Sequence, residues 1–315
     1  MQTSCALWRR CAFDPHFRLR EARIVIVGLG LMGGSLAMAL YQGGLCREVI
    51  GVVRRPEAVQ QALALRAVHH ATTQLGEALD GANIVILATP VRSIIRHIQQ
   101  LSAMTLPPCL LLDMGSTKQA IVRAMEVLPV HVQPLGSHPM CGKEMSGLAA
   151  ADPYLYRDAP WVLVPLVRTS DASLELARAL VQAVGARPLV LDAMRHDQLV
   201  AAISHLPYAL AVALVLTVAE LGERDAAVWQ LAASGFRDTS RLAGSDVEMM
   251  LDILMTNRAA VGEMLKRASA QLGQLADRIA RGQEEPLRAM LTRARALRTS
   301  YPNVPLSPDA SESRT

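Results

Sequence analysis

From Arg23 to about residue 192, short apolar runs alternate with segments in which apolar residues recur at helical spacing. The runs are rich in Val, Ile and Leu, which is typical of buried strands. Strands that alternate with helices predict an α/β fold, with a mostly parallel, doubly wound sheet that carries helices on both faces. The predicted strands cover residues 24–27, 48–53, 82–88, 109–113, 161–165 and 188–192.

Beyond residue 192 the strand pattern stops, and the chain becomes rich in Ala and Leu at helical spacing. We therefore predict a domain boundary at this point, with an α/β domain over residues 21–192 and an all-helical domain over residues 193–299. The predicted helices cover residues 196–220, 226–233, 248–272 and 286–298.

The longest apolar stretch runs from Leu199 to Val218 and is interrupted by Ser204, His205, Pro207 and Tyr208. A bilayer span needs about 20 mostly apolar residues, so we predict a buried helix and no membrane span. Because so apolar a helix in a small helical domain needs a partner surface, we expect a symmetric homodimer to bury it.

The two ends of the chain differ from the rest. Residues 1–20 carry four arginines and one acid, and Arg9-Arg10 resembles an export signal that lacks its apolar stretch. We expect residues 1–20 to be a flexible extension and the Pro- and Ser-rich residues 300–315 to be a disordered tail.

Composition excludes several classes of function. A net charge of +4 with 3% aromatic residues does not indicate a nucleic-acid partner, and 51% hydrophobic residues permit a large core. The five cysteines form no CxxC pair and no zinc spacing. They indicate reduced thiols in a cytoplasmic protein without a metal site.

A glycine motif follows the first predicted strand and opens a predicted helix. It reads Gly28-Leu29-Gly30-Leu31-Met32-Gly33, which is the GxGxxG pattern of dinucleotide-binding loops. Gly28 would make the tight turn, Gly30 would admit the pyrophosphate, and Gly33 would let the helix pack on the strand. The helix N-terminus would supply N–H donors, so all six residues are candidate cofactor contacts.

The end of the second strand suggests which dinucleotide is bound. An acidic residue there would bind the ribose 2′-hydroxyl of NAD, but the sequence has Arg54-Arg55 and no acid. Two guanidinium groups suit a 2′-phosphate, so we predict NADP in preference to NAD. The alternative is that both arginines only face solvent.

Two further segments carry candidate chemistry at predicted strand ends, where ligands bind in doubly wound sheets. Ser116 lies in DMGSTK (113–118), and His138 lies in the Gly- and Pro-flanked loop GSHPMCG (136–142). The chain has no GxSxG elbow, so His138 is a better candidate for a general base in alcohol oxidation than for the partner of a nucleophile. Alternatively His138 is structural and Ser116 caps a helix starting at Thr117; we expect structural roles for Asp113 and Lys118.

Six segments lie in order between residues 23 and 297: VGLGLMGGSLA (27–37), ATP (88–90), DMGSTK (113–118), SHPMCG (137–142), ISHLP (203–207) and SGFRDTSR (234–241). Together they resemble the prephenate and arogenate dehydrogenases of tyrosine biosynthesis, and most of all the arogenate dehydrogenases of cyanobacteria. The resemblance implies a Rossmann-like N-terminal domain and a C-terminal helical dimerisation domain.

The resemblance also implies roles for individual residues. His138 matches the histidine that takes the proton of the ring 4-hydroxyl, Ser116 the serine that hydrogen-bonds this histidine and the substrate, and Arg241 the arginine that binds the ring carboxylate. Thr89 and Pro90 are implied to contact the cofactor. The implied reaction is NAD(P)-dependent oxidative decarboxylation of arogenate to tyrosine, of prephenate to 4-hydroxyphenylpyruvate, or of both.

The chain departs from the family pattern in places. Many members that use prephenate have a histidine after the SHLP segment, and here it is Tyr208, which favours arogenate or dual use. Tyr208 and Ser204 are predicted to contact the substrate, whereas His205 is predicted to be structural. Cys141 stands where a small residue is usual, and a thiol beside His138 is predicted to be reactive.

Other functions stay open from the sequence. A β-hydroxyacid dehydrogenase shares the glycine motif, although Asn257-Arg258 lacks the lysine of its helical-domain motif. A dinucleotide sensor without catalysis is a second alternative. For Arg241, the alternative is a surface ion pair with Asp238 or Asp246.

Overall fold

A computed structural model describes residues 18–143 and 145–301 of the 315-residue chain. The predicted extension (1–20) lies mostly outside the described residues, and the predicted tail (300–315) lies almost wholly outside them. The described chain forms two compact units, which divide between residues 261 and 262.

The first unit contains an eight-stranded sheet with the strand order β3-β2-β1-β4-β5-β6-β7-β8. All neighbouring strands are parallel except β6 and β7, which are antiparallel. The strands are β1 (Arg23–Val27), β2 (Glu48–Val52), β3 (His70–Thr72), β4 (Ile84–Leu87), β5 (Cys109–Asp113), β6 (Val132–Pro139), β7 (Pro160–Pro165) and β8 (Arg187–Val190).

Helices connect most of the strands and form most of the described chain after β8. Those between strands are α1 (Leu31–Gln42), α2 (Pro56–Ala64), α3 (Leu75–Ala78), α4 (Val91–Ser102), α5 (Gln119–Met125) and α6 (Asp171–Ala183). Those after β8 are α7 (Ala193–Val200), α8 (Leu206–Gly222), α9 (Ala227–Gln230), α10 (Ser234–Ser240), α11 (Val247–Thr256), α12 (Arg258–Ala280) and α13 (Glu284–Ser300). A π-helix, Ala201–His205, joins α7 to α8. The second unit consists of residues 262–301, which are the rest of α12 and all of α13.

The central strand shows why the sheet is covered on both faces. Successive side chains of a strand point to opposite faces, and in β1 the four residues after Arg23 are all apolar. Ile24 and Ile26 belong to one buried cluster, whereas Val25 and Val27 belong to the other. The predicted fold class, a doubly wound sheet followed by helices, is therefore confirmed.

The sequence did not predict two of the strands, nor the interruption of one predicted helix. β3 has only three residues, and β6 contains two prolines and a glycine, which disfavour strands. Tertiary pairing keeps β6 extended, since it lies between β5 and β7. His138 consequently lies in a strand, and the prediction of a loop there was wrong. The predicted helix 248–272 is also interrupted, at Asn257, between α11 and α12.

The order of the strands creates a crevice at the carboxyl end of β1. β1 lies between β2 and β4, so the connections that leave its two sides diverge there. In open α/β sheets this switch point is where ligands bind. The glycine motif of residues 28–33 lies directly at this point, between β1 and α1.

A buried ion pair joins the carboxyl ends of β5 and β6. Lys118 Nζ contacts the Asp113 carboxylate and also donates a hydrogen bond to the Ser137 carbonyl oxygen at 2.7 Å. Asp113 further accepts hydrogen bonds from the Ser137 amide at 2.9 Å and the Gly115 amide at 2.8 Å. Burial raises the pKa of Asp113 and lowers that of Lys118, and their pairing opposes both shifts. These two residues therefore hold the loop after β5 against β6.

The helix α8 is exposed within a single chain. Among the described residues, only Ala211 of its 17 residues is buried, so the predicted burial of this helix depends on the expected dimer partner and stays a prediction. Within the described residues, the continuous run Ala193–Gly222 is also long and apolar enough to cross a membrane by length and composition. The apolar surface of α8 thus needs a covering that residues 18–143 and 145–301 do not supply.

We expect a methyl group at Gly33 to destabilise the protein, because it would lie 2.0 Å from the Gly28 carbonyl oxygen and 2.8 Å from Ala88 Cβ. Gly33→Ala should lower the free energy of unfolding by about 1–3 kcal/mol, measured by urea denaturation. Gly30→Ala is the matched control, since no atom lies within 4 Å of its added Cβ, and it should change stability by less than about 0.5 kcal/mol. Equal effects of the two variants would contradict this account.

Candidate functional site

The glycine loop is built for close approach between β1, α1 and the end of β4. Gly28 has a φ of +97°, and a Cβ there would lie 2.6 Å from Thr89 Cγ2. Its amide donates a hydrogen bond to the Val52 carbonyl oxygen at 2.9 Å, which ties the loop to β2. Both backbone conformation and space therefore require glycine at this position.

The same loop leaves room and hydrogen-bonding groups for a ligand. Gly30 precedes α1, and a Cβ added there would meet no atom within 4 Å. No side chain of the described residues caps α1, so its first amides are left for another acceptor. Thr89 Oγ1 is buried and has no hydrogen-bond partner among residues 18–143 and 145–301. An open cradle at a helix N-terminus, next to a buried hydroxyl without a partner, fits a dinucleotide pyrophosphate.

The other predicted cofactor residues surround this cradle. Leu29 is buried in the core, whereas Leu31 and Met32 are half-buried in the first turn of α1. Pro90 is the residue before α4 and is exposed. The structure thus places the glycine loop and the Thr89-Pro90 segment side by side.

Arg54 and Arg55 lie just beyond β2, next to the strand that leads into the glycine loop. Both are exposed, and neither guanidinium group makes a hydrogen bond or ion pair with any residue that the structure describes. Arg55 directly precedes α2. The two guanidinium groups are therefore available to an anionic ligand at this end of the sheet.

His138 lies near the carboxyl end of β6 and is part of a chain of three polar side chains. Its Nδ1 is 2.9 Å from Nε2 of His196, and Nδ1 of His196 is 2.8 Å from Oδ1 of Asp197. His196 and Asp197 are both on α7 and are 1% and 0% exposed. The first helix beyond the sheet therefore supplies the residues that contact His138.

Asp197 also binds the start of α5. Its carboxylate accepts hydrogen bonds from the amides of Lys118 at 2.7 Å and Gln119 at 2.9 Å. Although burial alone would raise the pKa of Asp197, the hydrogen bonds from His196 and from these amides hold it below its ordinary value. Asp197 thus caps a helix that begins at Gln119. The alternative that Ser116 caps a helix starting at Thr117 is wrong.

The surroundings of His138 favour its neutral form. Burial lowers its pKa well below the ordinary value for histidine, and the nearby His196, Lys118 and His205 lower it further. A neutral imidazole can accept a proton from a substrate at neutral pH.

His205 and Asn257 complete the polar cluster. Asn257 Nδ2 donates a hydrogen bond to the Asp197 carbonyl oxygen at 2.7 Å and lies 3.3 Å from Nδ1 of His205. Burial lowers the pKa of His205 to about 4. His205 ends the π-helix, a geometry that is frequent at functional sites. The break at Asn257 between α11 and α12 lets its side chain reach α7.

The predicted substrate residues lie on several elements of the first unit. Ser116 is half-buried three residues after β5, Ser204 is exposed in the π-helix, and Tyr208 is half-buried in the first turn of α8. Arg241 is exposed at the start of a 3₁₀-helix, Arg241–Gly244, which packs against α8. No hydrogen bond within the described ranges joins Ser116 to His138, whose Nδ1 instead pairs with His196.

The surroundings of Cys141 disfavour the thiolate. Burial raises the pKa of Cys141 to about 11, and the thiolate is the reactive form. A reactive thiol at Cys141 stays a prediction, and this shift argues against it.

Sequence reasoning missed His196, Asp197 and Asn257. A signal for two of them was present, because a His-Asp pair stands at the start of a long apolar helical run. Charged residues in such a position are buried only with partners. The partner of His196 lies 58 residues away in the sequence, and the partners of Asp197 lie 78 and 79 residues away. No local sequence pattern reveals contacts between residues so far apart.

Comparisons with known proteins cover most of the chain. The family model described as "Prephenate dehydrogenase, nucleotide-binding domain" matches residues 36–190, and "Prephenate dehydrogenase, dimerization domain" matches residues 192–293. The prephenate dehydrogenase of Bacillus subtilis (strain 168) is 34% identical over 75% of this chain, and the matched part is 64% of that protein's length.

Solved structures share the whole architecture. The prephenate dehydrogenase from A. aeolicus, in complex with hydroxyphenyl propionate and NAD+, superposes with a TM-score of 0.83 at 29% identity, over 88% of this chain and 97% of that one. The Synechocystis arogenate dehydrogenase superposes with a TM-score of 0.77 at 32% identity, over 88% and 99%. Together with the matched family models, these similarities show that the chain belongs to the prephenate dehydrogenase family.

Proposed function

We propose that the protein catalyses the NAD(P)-dependent oxidative decarboxylation of arogenate to tyrosine, of prephenate to 4-hydroxyphenylpyruvate, or of both. The observation that carries this proposal is His138, a half-buried histidine near the carboxyl end of β6 whose lowered pKa keeps it neutral. Relatives named as prephenate and arogenate dehydrogenases support the reaction class. The open cradle at Gly30, with the unpartnered Thr89 hydroxyl, supports the nicotinamide cofactor.

In the proposed reaction, His138 accepts the proton of the ring 4-hydroxyl while hydride leaves the same ring carbon. A nicotinamide dinucleotide held by the glycine loop of residues 28–33 would supply the acceptor for that hydride. The ring carboxylate then departs as CO2, and its bonding electrons make the ring aromatic. Since aromatisation drives the reaction, the protein needs mainly to position the substrate and to hold a neutral base beside the hydroxyl.

The remaining predicted substrate residues keep their roles as parts of this proposal. Arg241 binds the ring carboxylate, because guanidinium is suited to planar, bidentate recognition of carboxylates. Ser116 hydrogen-bonds the reacting hydroxyl, and Tyr208 and Ser204 contact the substrate side chain. Tyr208, in place of histidine, favours arogenate or dual use.

We further propose a homodimer in the cytoplasm. The exposed apolar helix α8 lies in the region matched by the family's dimerization domain, so a second copy is its proposed covering. Residues 21–192 would form the dinucleotide-binding domain, and residues 193–299 the helical substrate and dimerisation domain. A small molecule is the proposed substrate, with neither nucleic acid nor membrane as a partner.

Initial rates with four reactant pairs test the function. Purified protein is given arogenate or prephenate with NADP or NAD, and reduced cofactor is followed by absorbance. We expect turnover with arogenate and NADP. His138→Asn should lower kcat by about 10²–10⁴-fold and leave the dissociation constant for NADP unchanged, because it removes only the base. Absence of turnover with all four pairs would overturn the proposal in favour of a β-hydroxyacid dehydrogenase or a dinucleotide sensor.

The pH profile tests the state of the base. His196, Lys118 and His205 face His138 and, with burial, lower its pKa; the Asp197 carboxylate lies beyond His196. A base with a lowered pKa is deprotonated and active above that pKa, and its activity is lost as the pH falls through that value. We therefore expect kcat/KM to stay level as the pH falls through the ordinary histidine pKa of about 6.5. Circular dichroism at each pH excludes unfolding, and a loss of rate centred near 6.5 would contradict the assignment.

The choice of cofactor depends in this proposal on Arg54 and Arg55. Arg54→Asp/Arg55→Ala should raise the KM for NADP by at least about 10-fold, because charge-assisted hydrogen bonds to the 2′-phosphate contribute about 1.5–3 kcal/mol each. The KM for NAD should fall or stay unchanged. The control is Arg293→Asp/Arg295→Ala, which makes the same charge change on exposed positions of α13. An unchanged KM for NADP in the first variant would refute the NADP preference.

A further inference from the structure

The chain of hydrogen bonds from Asp197 to His138 determines where each proton lies. An ionised carboxylate can only accept hydrogen bonds, and Asp197 already accepts two from the backbone amides of Lys118 and Gln119. Its third partner, Nδ1 of His196 at 2.8 Å, must therefore carry the proton that it donates.

The proton on His138 is fixed by the next hydrogen bond in the chain. A neutral imidazole has one N–H and one lone pair, so Nε2 of His196 is an acceptor once its Nδ1 is the donor. Nδ1 of His138 lies 2.9 Å from that acceptor and must donate to it. The lone pair of neutral His138 is consequently on Nε2.

We infer that His196 and Asp197 are positioning residues for the reaction, which fix the tautomer of His138 so that Nε2 is the base. This inference rests on the proposed function, because it specifies the atom of His138 that takes the substrate proton. The opposite tautomer would place an N–H on Nε2 and leave the base unable to accept that proton.

The burial of His196 and Asp197 determines what these two residues do after proton transfer. His196 and Asp197 are 1% and 0% exposed, so the two residues do not lead a proton to solvent. When Nε2 of His138 gains a proton, Nδ1 still donates to His196, and the Asp197 carboxylate compensates the new positive charge. The positive charge that His138 gains is thus stabilised without any movement of His196 or Asp197.

Asp197 is held rigidly enough for this role. Its carboxylate is fixed by the two amides at the start of α5, and its carbonyl oxygen accepts a hydrogen bond from Asn257 Nδ2 at 2.7 Å. The α5 amides follow the loop that carries Ser116. One carboxylate therefore connects the tautomer of the base to the loop that is proposed to contact the substrate hydroxyl.

The test compares two substitutions of the middle residue. In His196→Gln the side-chain oxygen can still accept a hydrogen bond from Nδ1 of His138, whereas His196→Leu offers no acceptor. We expect His196→Leu to lower kcat by at least about 10-fold, and by up to the roughly 10⁴-fold seen when a serine-protease histidine takes the wrong tautomer. The KM values should stay within about threefold. His196→Gln should recover most of kcat, which a role in packing alone would not predict.

A readout that needs no substrate separates this inference from the proposed function. Two-bond ¹H–¹⁵N correlation spectra of ¹⁵N-histidine-labelled protein show which ring nitrogen carries the proton, and His138→Asn assigns the His138 signal by its loss. Wild-type protein and His196→Gln should have the proton of His138 on Nδ1, and His196→Leu should shift it toward Nε2.

The outcomes are distinct. A wild-type His138 with its proton on Nε2, as a doubly protonated His196 would impose, overturns the inference even if the enzyme is active. An unchanged tautomer in folded His196→Leu overturns it as well. Lack of turnover with every substrate and cofactor pair, together with the expected spectra, would instead overturn the proposed function. If the leucine variant does not fold, the wild-type spectrum alone distinguishes the two tautomers of His138.

Discussion

The buried carboxylate of Asp197 is the interaction on which the arrangement of the site depends. It accepts hydrogen bonds from two amides at the start of α5 and from His196, which in turn contacts His138 on β6. A charge with no exposed surface is tolerated only when its hydrogen-bonding capacity is filled. The need to satisfy one carboxylate therefore joins the first helix after the sheet to two neighbouring strand ends and fixes their relative position.

A second buried charge serves the sheet in a comparable way. The Asp113–Lys118 pair holds the loop after β5 against the carbonyl and amide of Ser137, one residue before the proposed base. The Asp113–Lys118 pair and the Asp197 carboxylate both hold the same short loop. The side chain of Lys118 contacts Asp113, and its amide donates a hydrogen bond to Asp197. The segment that carries Ser116 is thus held from both directions.

The glycine loop and the helix α8 differ in how closely they are packed. At the glycine loop the chain is so crowded that Gly28 and Gly33 leave no space for a methyl group, while Gly30 faces open space. At α8 a long apolar surface is only partly covered by the other described residues. The first arrangement leaves a cradle for a small anion, and the second leaves a surface suited to another copy of the protein.

The class of fold, the glycine loop and the family could all be predicted from the sequence. These follow from local patterns, since strand and helix periodicity and the GxGxxG spacing are properties of neighbouring residues. The position of His138 in a strand could not be predicted in this way, because pairing with β5 and β7 overrides the prolines and glycine of β6. Nor could the contact of His196 with the proposed base, or the hydrogen bonds of Asp197 and Asn257 behind it, since those contacts join residues 58 or more positions apart. Burial is a property of the assembled fold, so the lowered pKa of His138 follows from the folded structure and not from the sequence.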